Sequence, residues 1–342
     1  MKIAGYDIDL EEAVKIINKK KYKKVVLQIP DGLKIHFTKF VEFFEGKTEA
    51  DFLISATPCF GACDLIGYDL KSLGVNFVIQ IGHESINDAK TIEIDTLFLN
   101  AKSDLDILKV VEKALPIIKD KKIGLVSTAQ HVHKLDEIKK ILENKNFKVF
   151  IGKGNSRIKL AGQILGCNFS SAISIAKDVD LFLFIGGGNF HPLGLMLSTK
   201  KKVIACDPYT NKVKEKELED LKDTILRQRY GAIASSKNAR AFGILIGTKS
   251  GQQRIELAYK IKKKLTSKEK KSYILILDNF NPLVFQSFLG LDCFISTACP
   301  RIAIDDYILY KVPIITPVEL DILLGYKKWE EYCFDEISTL LL

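Results

Sequence analysis

Three cysteines lie in short turns that each follow a predicted apolar strand, one in each third of the chain. Cys63 stands in Phe-Gly-Ala-Cys-Asp, Cys299 stands in Thr-Ala-Cys-Pro-Arg, and Cys167 follows four glycines within residues 152–170. Glycine lets backbone amides approach an anion closely, and such donors stabilise a thiolate. A lone cysteine is more often a buried, inert thiol, so the informative observation is that three cysteines share this setting.

Three soft thiolate ligands favour an iron–sulfur cluster over a site for a hard cation. Structural zinc usually takes four ligands with paired C-x-x-C spacing, and the sequence contains no such pair. Three ligands on a four-iron cluster would leave one iron open for a small molecule. The cysteines are far apart in the sequence, so their spacing alone does not define the site.

Cys59 makes the pattern C-x-x-x-C with Cys63. The usual radical adenosylmethionine loop is C-x-x-x-C-x-x-C, and its third cysteine position is occupied here by Ile66, so that motif is absent. We interpret Cys59 as a partly buried thiol. The three other cysteines are predicted core or surface residues: Cys206, Cys293 and Cys333.

Apolar runs recur in three blocks and predict the elements that position these cysteines. The runs lie at residues 25–29, 52–54, 77–81 and 96–99, then at 123–126, 149–151, 181–185 and 203–205, and finally at 243–246, 273–277, 293–295 and 312–315. Runs that are apolar on both faces and alternate with helices are typical of buried parallel strands. We therefore predict an α/β protein with three similar domains, each a parallel sheet of about four strands flanked by helices.

The predicted domains comprise residues 1–102, 103–208 and 209–342, and each supplies one of the three cysteines. The last includes a charged linker helix and a C-terminal tail. Three thiols from three domains can meet only at a central junction. We expect the domains to be arranged with pseudo-threefold symmetry around that junction.

Polar loops with glycine or histidine follow several of the predicted strands. They lie at residues 30–32, 82–85, 127–131, 186–194 and 207–209. Ligands of open α/β sheets bind beyond the carboxyl ends of the strands, so these loops indicate one shared site at the strand ends. His83, His131 and His191 follow strands directly, whereas the two other histidines fall on predicted helices and receive no role.

The composition is that of a globular chain with excess positive charge. The 342 residues are 47% hydrophobic and carry a formal net charge of +9. The lysine clusters lack interleaved aromatic residues, so we interpret them as solvated faces and expect no direct nucleic-acid partner. No apolar run reaches the roughly 18 residues of a membrane span, and no secretory signal is evident. We expect a cytoplasmic protein whose seven cysteines are not disulfide-bonded.

The loops together resemble those of the archaeal diphthamide-synthesis family, 2-(3-amino-3-carboxypropyl)histidine synthase. The matching segments follow one another in order over nearly the whole chain. They are Gln28-x-Pro30-x-Gly32-Leu33, Gly61-Ala62-Cys63-Asp64, Gly82-His83, Thr128-Ala129-Gln130-His131, residues 152–170, Phe190-His191-Pro192-Leu193-Gly194, Asp207-Pro208-Tyr209-Thr210 and Ala298-Cys299-Pro300-Arg301.

The resemblance implies a homodimer of three-domain subunits in which Cys63, Cys167 and Cys299 bind a [4Fe–4S] cluster. It implies that S-adenosylmethionine is cleaved to a 3-amino-3-carboxypropyl radical. This group is attached to a histidine of translation elongation factor 2, and an electron donor is required. No membrane partner is expected.

Position at the strand ends and the resemblance together predict the residues that hold adenosylmethionine. The open iron would chelate the amino and carboxylate groups of the methionine part, and the surrounding loops would hold the remainder. No catalytic residue is predicted beyond the cluster. The predicted binding residues are Gln28, Pro30, Gly32, Gly82, His83, Gln130, His131, Gly154, Arg157, Gly188, His191 and Asp207.

Two alternative functions stay open from the residues alone. A quinolinate-synthase-like dehydratase also pairs three α/β domains with a three-cysteine [4Fe–4S] cluster, whose open iron acts as a Lewis acid. Only radical cleavage would need a reductant and adenosylmethionine. A non-enzymatic iron–sulfur protein would need four-cysteine ligation and no substrate loops, so the glycine and histidine loops argue against it.

Overall fold

The structure is a computed structural model that describes residues 1–66, 70–86 and 94–337. The strands are β1 (Lys2–Ile3), β2 (Tyr6–Asp7), β3 (Lys24–Gln28), β4 (Asp51–Ile54), β5 (Phe77–Ile81), β6 (Asp95–Leu99), β7 (Lys102–Ser103), β8 (Lys122–Ser127), β9 (Lys148–Phe150), β10 (Leu181–Ile185), β11 (Lys202–Asp207), β12 (Lys212–Lys214), β13 (Ala241–Gly247), β14 (Lys271–Leu277), β15 (Cys293–Ser296) and β16 (Ile314–Ile315).

Helices connect most of the strands. They are α1 (Leu10–Lys20), α2 (Asp31–Lys34), α3 (Phe37–Glu45), α4 (Leu108–Ala114), α5 (Leu135–Asn144), α6 (Ser170–Ile173), α7 (Phe190–Thr199), α8 (Lys216–Ser235), α9 (Ile255–Thr266), α10 (Pro282–Phe285), α11 (Arg301–Ile304) and α12 (Pro317–Leu323). None of these described helices combines the length and apolar character that crossing a membrane requires.

Three sheets of parallel strands share one strand order. The first runs β4-β3-β5-β6 and the third runs β14-β13-β15-β16. The second runs β12-β11-β10-β8-β9, with β12 as an antiparallel edge strand. In each sheet the first parallel strand in the chain lies between the second and the third. The predicted mixed α/β fold with several parallel sheets is confirmed, whereas its pseudo-threefold symmetry stays a prediction.

The central strands are buried on both faces, which explains why they read as unbroken apolar runs. All five residues of β10 are buried, and β10 pairs in parallel with β8 and β11. The interior is packed tightly around the β10 side chains. A Cβ atom on Gly124 of β8 would lie 2.4 Å from the Phe182 ring, so only glycine fits there.

The amphipathic helix α1 covers the first sheet. Its residues Leu10, Ala13 and Ile17 join the same core as Val25 of β3. The side chain of Asp9 accepts a hydrogen bond from the Glu12 amide at 3.4 Å and thereby caps the helix. This arrangement supports the prediction of a helix that precedes the first strand and packs on it.

Helix α8 lies in the chain between the second and third sheets and carries a buried charge. Arg229 is fully buried, and its Nε and Nη2 atoms donate to the Glu319 carboxylate at 2.7 and 2.6 Å. It also donates to the carbonyl oxygens of Ala303 at 2.5 Å and Ile314 at 2.7 Å. Arg229 thus joins α8 to α11, β16 and α12.

Some contacts cross the predicted domain boundaries. Strand β12 lies beyond residue 208 yet pairs with β11 of the second sheet. Strand β7, at the boundary between 102 and 103, pairs with β2 near the N-terminus. Tyr332 and Phe334 belong to the core that contains Phe169 of the second domain. The three domain ranges stay predictions, and residues 338–342 of the last one lie outside the described residues.

Candidate cluster and substrate site

The three cysteine turns lie beyond the ends of strands in three different sheets. Cys63 lies between β4 and β5, Cys167 lies between β9 and α6, and Cys299 lies between β15 and α11. Cys167 is buried, whereas Cys63 and Cys299 are half-buried. The positions predicted for these turns relative to their strands are confirmed.

The three thiols lie close enough together to affect one another's protonation. Burial is the main cause that raises the pKa of Cys63 to about 11, and Cys167 adds to the shift. Burial, followed by Cys167 and Cys63, raises the pKa of Cys299. Burial also raises the pKa of Cys167, while Arg157 and Arg254 act in the opposite direction. Residues from three sheets therefore share one buried neighbourhood.

No group of three or more His, Cys, Asp or Glu side chains within residues 1–66, 70–86 and 94–337 could hold a metal ion as the side chains stand. The assignment of Cys63, Cys167 and Cys299 as cluster ligands therefore stays a prediction. Its support is chemical, because the donor set consists of three thiols and two buried arginines, Arg157 and Arg254, act on Cys167.

Arg157 is buried beside these thiols, and no carboxylate in the described parts of the chain pairs with it. It is 4% exposed, and its Nη2 donates to the carbonyl oxygen of Gly251 at 2.6 Å. Its Nε has no hydrogen-bond partner among the residues that the structure describes. A buried charge without a counter-ion is unfavourable. A thiolate-ligated cluster would provide negative charge at this point, so the residues present fit such a group.

The loop at residues 248–254 follows β13 and contacts the Cys63 turn. The amide of Gly251 donates to the carbonyl oxygen of Cys63 at 3.0 Å, and Nε2 of Gln252 lies 3.4 Å from Cys63 Sγ. Lys249 forms a buried ion pair with Asp64. The sequence interpretation missed these residues. Their position in the sequence could have indicated them. This loop follows the first strand of the third block, just as the predicted site loops at residues 30–32 and 127–131 follow the first strands of the first and second blocks.

A cleft of about 460 Å³ opens between loops of the first and third sheets. Its lining includes Gln28, Asp64, Lys249 and Asp278. Nε2 of Gln28 donates to the Asp64 carbonyl oxygen at 2.6 Å, and Oε1 of Gln28 accepts from Gln80 at 3.3 Å. The predicted binding residue Gln28 thus lies beside the Cys63 turn and borders open space.

A second cleft of about 380 Å³ lies at the start of α7. Gly188, Phe190, His191 and Arg301 are among its lining residues. Burial and the charge of Arg301 lower the pKa of His191 to about 4, so this imidazole is neutral at pH 7. A Cβ atom on Gly166 would lie 3.6 Å from Nε2 of His191. The cleft therefore borders the Cys167 turn and contains two predicted binding residues, Gly188 and His191.

Pro30, Gly82 and Gln130 lie at the contact between the first and second sheets. Nε2 of Gln130 donates to the carbonyl oxygen of Gly82 at 3.2 Å. Gly82 has φ +90°, and a Cβ atom there would lie 2.8 Å from Pro30 Cγ. This contact makes glycine necessary and gives the three residues a role in loop packing. Gly32, in α2, has open space around its Cα.

His131 and Asp207 lie close to Tyr209. His131 is 1% exposed, and its ring meets the Tyr209 ring edge-on at 5.5 Å. Neither ring nitrogen has a hydrogen-bond partner in the described part of the chain. Burial lowers the pKa of His131 to about 4. Oδ1 of Asp207 accepts from the amides of Tyr209 and Thr210 at 3.0 and 3.2 Å, and Oδ2 accepts from Lys214 at 3.2 Å. Asp207 is thus occupied in holding its own turn.

Cys59 has neighbours other than the central thiols. Its Sγ lies 3.9 Å from Nδ1 of His83 and 3.7 Å from Nε2 of Gln80. Burial is the main cause that raises the pKa of Cys59 to about 12, and burial lowers the pKa of His83 to about 4.

The predicted binding residue Gly154 packs against Ile158. A Cβ atom added to Gly154 would lie 2.3 Å from Ile158 Cβ. Cys206 and Cys293 are fully buried, as predicted for core residues, and Cys333 is half-buried.

The family model for diphthamide synthesis proteins matches residues 29–333. The chain belongs to this family. It is 34% identical over 334 residues to the 2-(3-amino-3-carboxypropyl)histidine synthase of Pyrococcus horikoshii, covering 97% of this chain and 94% of that protein. It is 31% identical over 353 residues to the synthase of Methanocaldococcus jannaschii, again covering 97% and 94%.

A solved member of the diphthamide-synthesis family has the same fold. The crystal structure of Dph2 from Pyrococcus horikoshii with a 4Fe-4S cluster matches with a TM-score of 0.88 at 33% identity, covering 97% of this chain and 94% of that one. The resemblance inferred from the loops is confirmed. Family membership favours the synthase over the dehydratase and the non-enzymatic carrier.

Proposed function

We propose that this chain is a transferase, a 2-(3-amino-3-carboxypropyl)histidine synthase. It transfers the 3-amino-3-carboxypropyl group of S-adenosylmethionine to a histidine of translation elongation factor 2, the first step of diphthamide synthesis. The observation that carries the proposal is the buried neighbourhood shared by Cys63, Cys167 and Cys299. It occurs in a chain similar to named synthases over 97% of its length.

The three cysteines are the proposed cluster ligands, and Arg157 and Gln252 lie next to them. When bound, a [4Fe–4S] cluster supplies the electron that breaks a sulfonium C–S bond of adenosylmethionine. Arg157 places positive charge beside Cys167 and Cys63, which favours their thiolate forms. The amide of Gln252 lies 3.4 Å from Cys63 Sγ, where it can donate to the ligand sulfur. Such donors and charges set the potential of a cluster.

The two clefts are the proposed places for adenosylmethionine, because each borders a cysteine turn. His191 offers a neutral imidazole in the second cleft, where Arg301 supplies positive charge for a carboxylate. In the first cleft Lys249 is a cationic lining residue, and the amide of Gln28 is hydrogen-bonded to the Asp64 carbonyl oxygen and to Gln80. Binding beside the ligands holds the scissile bond in one orientation and excludes water, which decides the bond that breaks.

The predicted binding residues fall into two groups that kinetics can separate. Gly188 and His191 line a cleft, whereas Gln130, Gly82 and Asp207 are occupied in holding loops; Gln28 borders a cleft but also holds the Cys63 turn. Replacement of His191 by Ala should raise KM for adenosylmethionine with iron content unchanged, whereas replacement of Gln28 by Ala should also lower iron content. Replacement of Gln130 by Ala should lower stability, with little effect on KM in the protein that stays folded.

The acceptor, the electron donor and a second copy of this chain are the proposed partners. An anaerobic reaction with dithionite, adenosylmethionine labelled in its carboxyl group, and purified archaeal elongation factor 2 tests the acceptor. Label should appear on one histidine of the elongation factor by peptide mass spectrometry. An elongation factor with that histidine replaced by Ala is the control. Label on another residue type would contradict the proposed acceptor chemistry.

A further inference from the structure

Arg254 connects two parts of the chain that hold different cysteine turns. It is 9% exposed, and its Nε donates to the Thr297 carbonyl oxygen at 2.5 Å. Its Nη2 lies 3.4 Å from the Ala298 carbonyl oxygen. These carbonyls belong to the two residues before Cys299. The opposite side of the guanidinium faces Asp335, with Nη2–Oδ2 and Nη1–Oδ1 distances of 2.6 and 3.1 Å.

The segment that contains Asp335 holds the Cys167 turn. The amide of Ile337 donates to the carbonyl oxygen of Cys167 at 2.7 Å. Nδ2 of Asn168 donates to the Ile337 carbonyl oxygen at 3.1 Å. Oε2 of Glu336 accepts from the Phe169 amide at 2.7 Å. One side chain, Arg254, thus spans from the Cys299 turn to the segment that fixes the Cys167 turn.

The positive charge of Arg254 interacts with Cys167 and Cys299 as well as with its ion-pair partner Asp335. Burial lowers the pKa of this guanidinium, but Asp335 together with Cys167 and Cys299 outweighs that effect and raises it, so the group is a cation. Arg157 differs, because it has no paired carboxylate within the described residues. Arg254 therefore combines a bidentate ion pair, which fixes its orientation, with positive charge near two predicted ligands.

We propose that Arg254, oriented by Asp335, is a positioning residue that aligns the Cys167 and Cys299 turns and whose charge stabilises the reduced state of the cluster. The inference rests on the proposed function, because it concerns a [4Fe–4S] cluster on these cysteines. Reduction adds negative charge to a cluster, so a nearby cation raises its midpoint potential and a nearby anion lowers it. Arg254 and Asp335 must therefore shift the midpoint potential of the cluster in opposite directions.

The test compares single variants of the holoprotein, reconstituted anaerobically with iron and sulfide. Midpoint potential is measured by redox titration of the visible absorbance, and iron per chain is measured in parallel. Arg254→Gln should move the potential to a more negative value, and Asp335→Asn should move it to a less negative one. Arg254→Lys keeps the charge but not the planar fork, so it should lose iron while leaving the potential nearly unchanged.

Glu319→Gln provides the matched control, because it breaks another buried arginine–carboxylate pair, with Arg229. It should lower the unfolding free energy and leave the potential unchanged. Shifts of the same sign in Arg254→Gln and Asp335→Asn, or no shift in either, would overturn the inference. If Arg254→Gln takes up no cluster, the sign of the shift in Asp335→Asn decides. A wild-type protein that takes up no iron would instead overturn the proposed function.

Discussion

Arg157 and Gly251 lie 94 residues apart, and the guanidinium of one donates to the carbonyl oxygen of the other at 2.6 Å. The amide of Gly251 in turn donates to the carbonyl oxygen of Cys63 at 3.0 Å. Loops that follow strands of the second, third and first sheets are thereby connected in series. The geometry around the Cys63 thiol thus depends on all three sheets.

Gly251 is necessary for this connection, since a Cβ atom there would lie 2.4 Å from Cys63 Cβ and 2.5 Å from Cys63 Cα. Gly251→Ala should displace the Cys63 turn, lower the unfolding free energy by about 1–3 kcal/mol and reduce iron uptake. Gly231→Ala is the matched control, because Gly231 lies in α8 with nothing within 4 Å of its Cβ position. It should stabilise the protein by about 0.5–1 kcal/mol. Equal iron uptake in the two variants would argue against the Cys63 assignment.

The cysteines divide into predicted ligands and core thiols. Replacement of Cys63, Cys167 or Cys299 by Ala should each remove most of the iron from anaerobically prepared protein, which should otherwise hold about four irons per chain. The same change at Cys206, Cys293 or Cys333 should leave iron content unaltered. Iron analysis with the visible absorption spectrum provides the measurement. Full iron retention in Cys167→Ala would rule out that ligand.

Arg157 provides a test of the electrostatic fit between the site and a cluster. Arg157→Gln removes a buried cation, so cluster-free protein should change in unfolding free energy by no more than about 1 kcal/mol, since the desolvation cost of the charge is relieved as its hydrogen bond is lost. The cluster-loaded form should lose iron faster than wild type on exposure to a chelator. Arg157→Lys, which keeps the charge, should lose iron at an intermediate rate. Identical rates in all three proteins would show that Arg157 has no part in retention.

Cys59 should not be a ligand, because its sulfur lies against His83 and Gln80. We expect Cys59→Ala to keep the cluster and to cleave adenosylmethionine within about tenfold of wild type, which is roughly 1.4 kcal/mol of barrier. Iron content and cleavage rate are measured on the same preparation. Loss of all iron would make Cys59 a ligand but would leave the reaction class intact.

The parallel sheets could be predicted from the sequence because strands buried on both faces must be apolar throughout. The turns of Cys63, Cys167 and Cys299 could be placed because each follows a short apolar run, although of the three strands only β15 is fully buried and β4 and β9 are edge strands. The polar contacts between domains could not be predicted, since the burial of such residues is decided only when the sheets meet. Nothing in the sequence marks Lys249 and Arg254 for burial, yet each is buried in an ion pair with a distant carboxylate.

The C-terminal segment shows the same limit. Residues 335–337 have no helical or strand pattern, and they contact the Cys167 turn through backbone and side-chain hydrogen bonds. Such contacts depend on the path of the backbone in the folded protein, which the residue types of the segment do not reveal. Arg157 was predicted at the site, but only the folded protein shows that its Nε has no hydrogen-bond partner among the described residues.

The products of adenosylmethionine cleavage test the central claim most directly. Anaerobic, cluster-loaded protein is incubated with dithionite and adenosylmethionine in the absence of acceptor, and the nucleoside products are separated by chromatography and identified by mass. The proposed reaction breaks the bond between sulfur and the aminocarboxypropyl carbon, so methylthioadenosine should accumulate and should require dithionite. 5′-Deoxyadenosine as the main nucleoside, or no cleavage by protein that contains the cluster, would contradict the account.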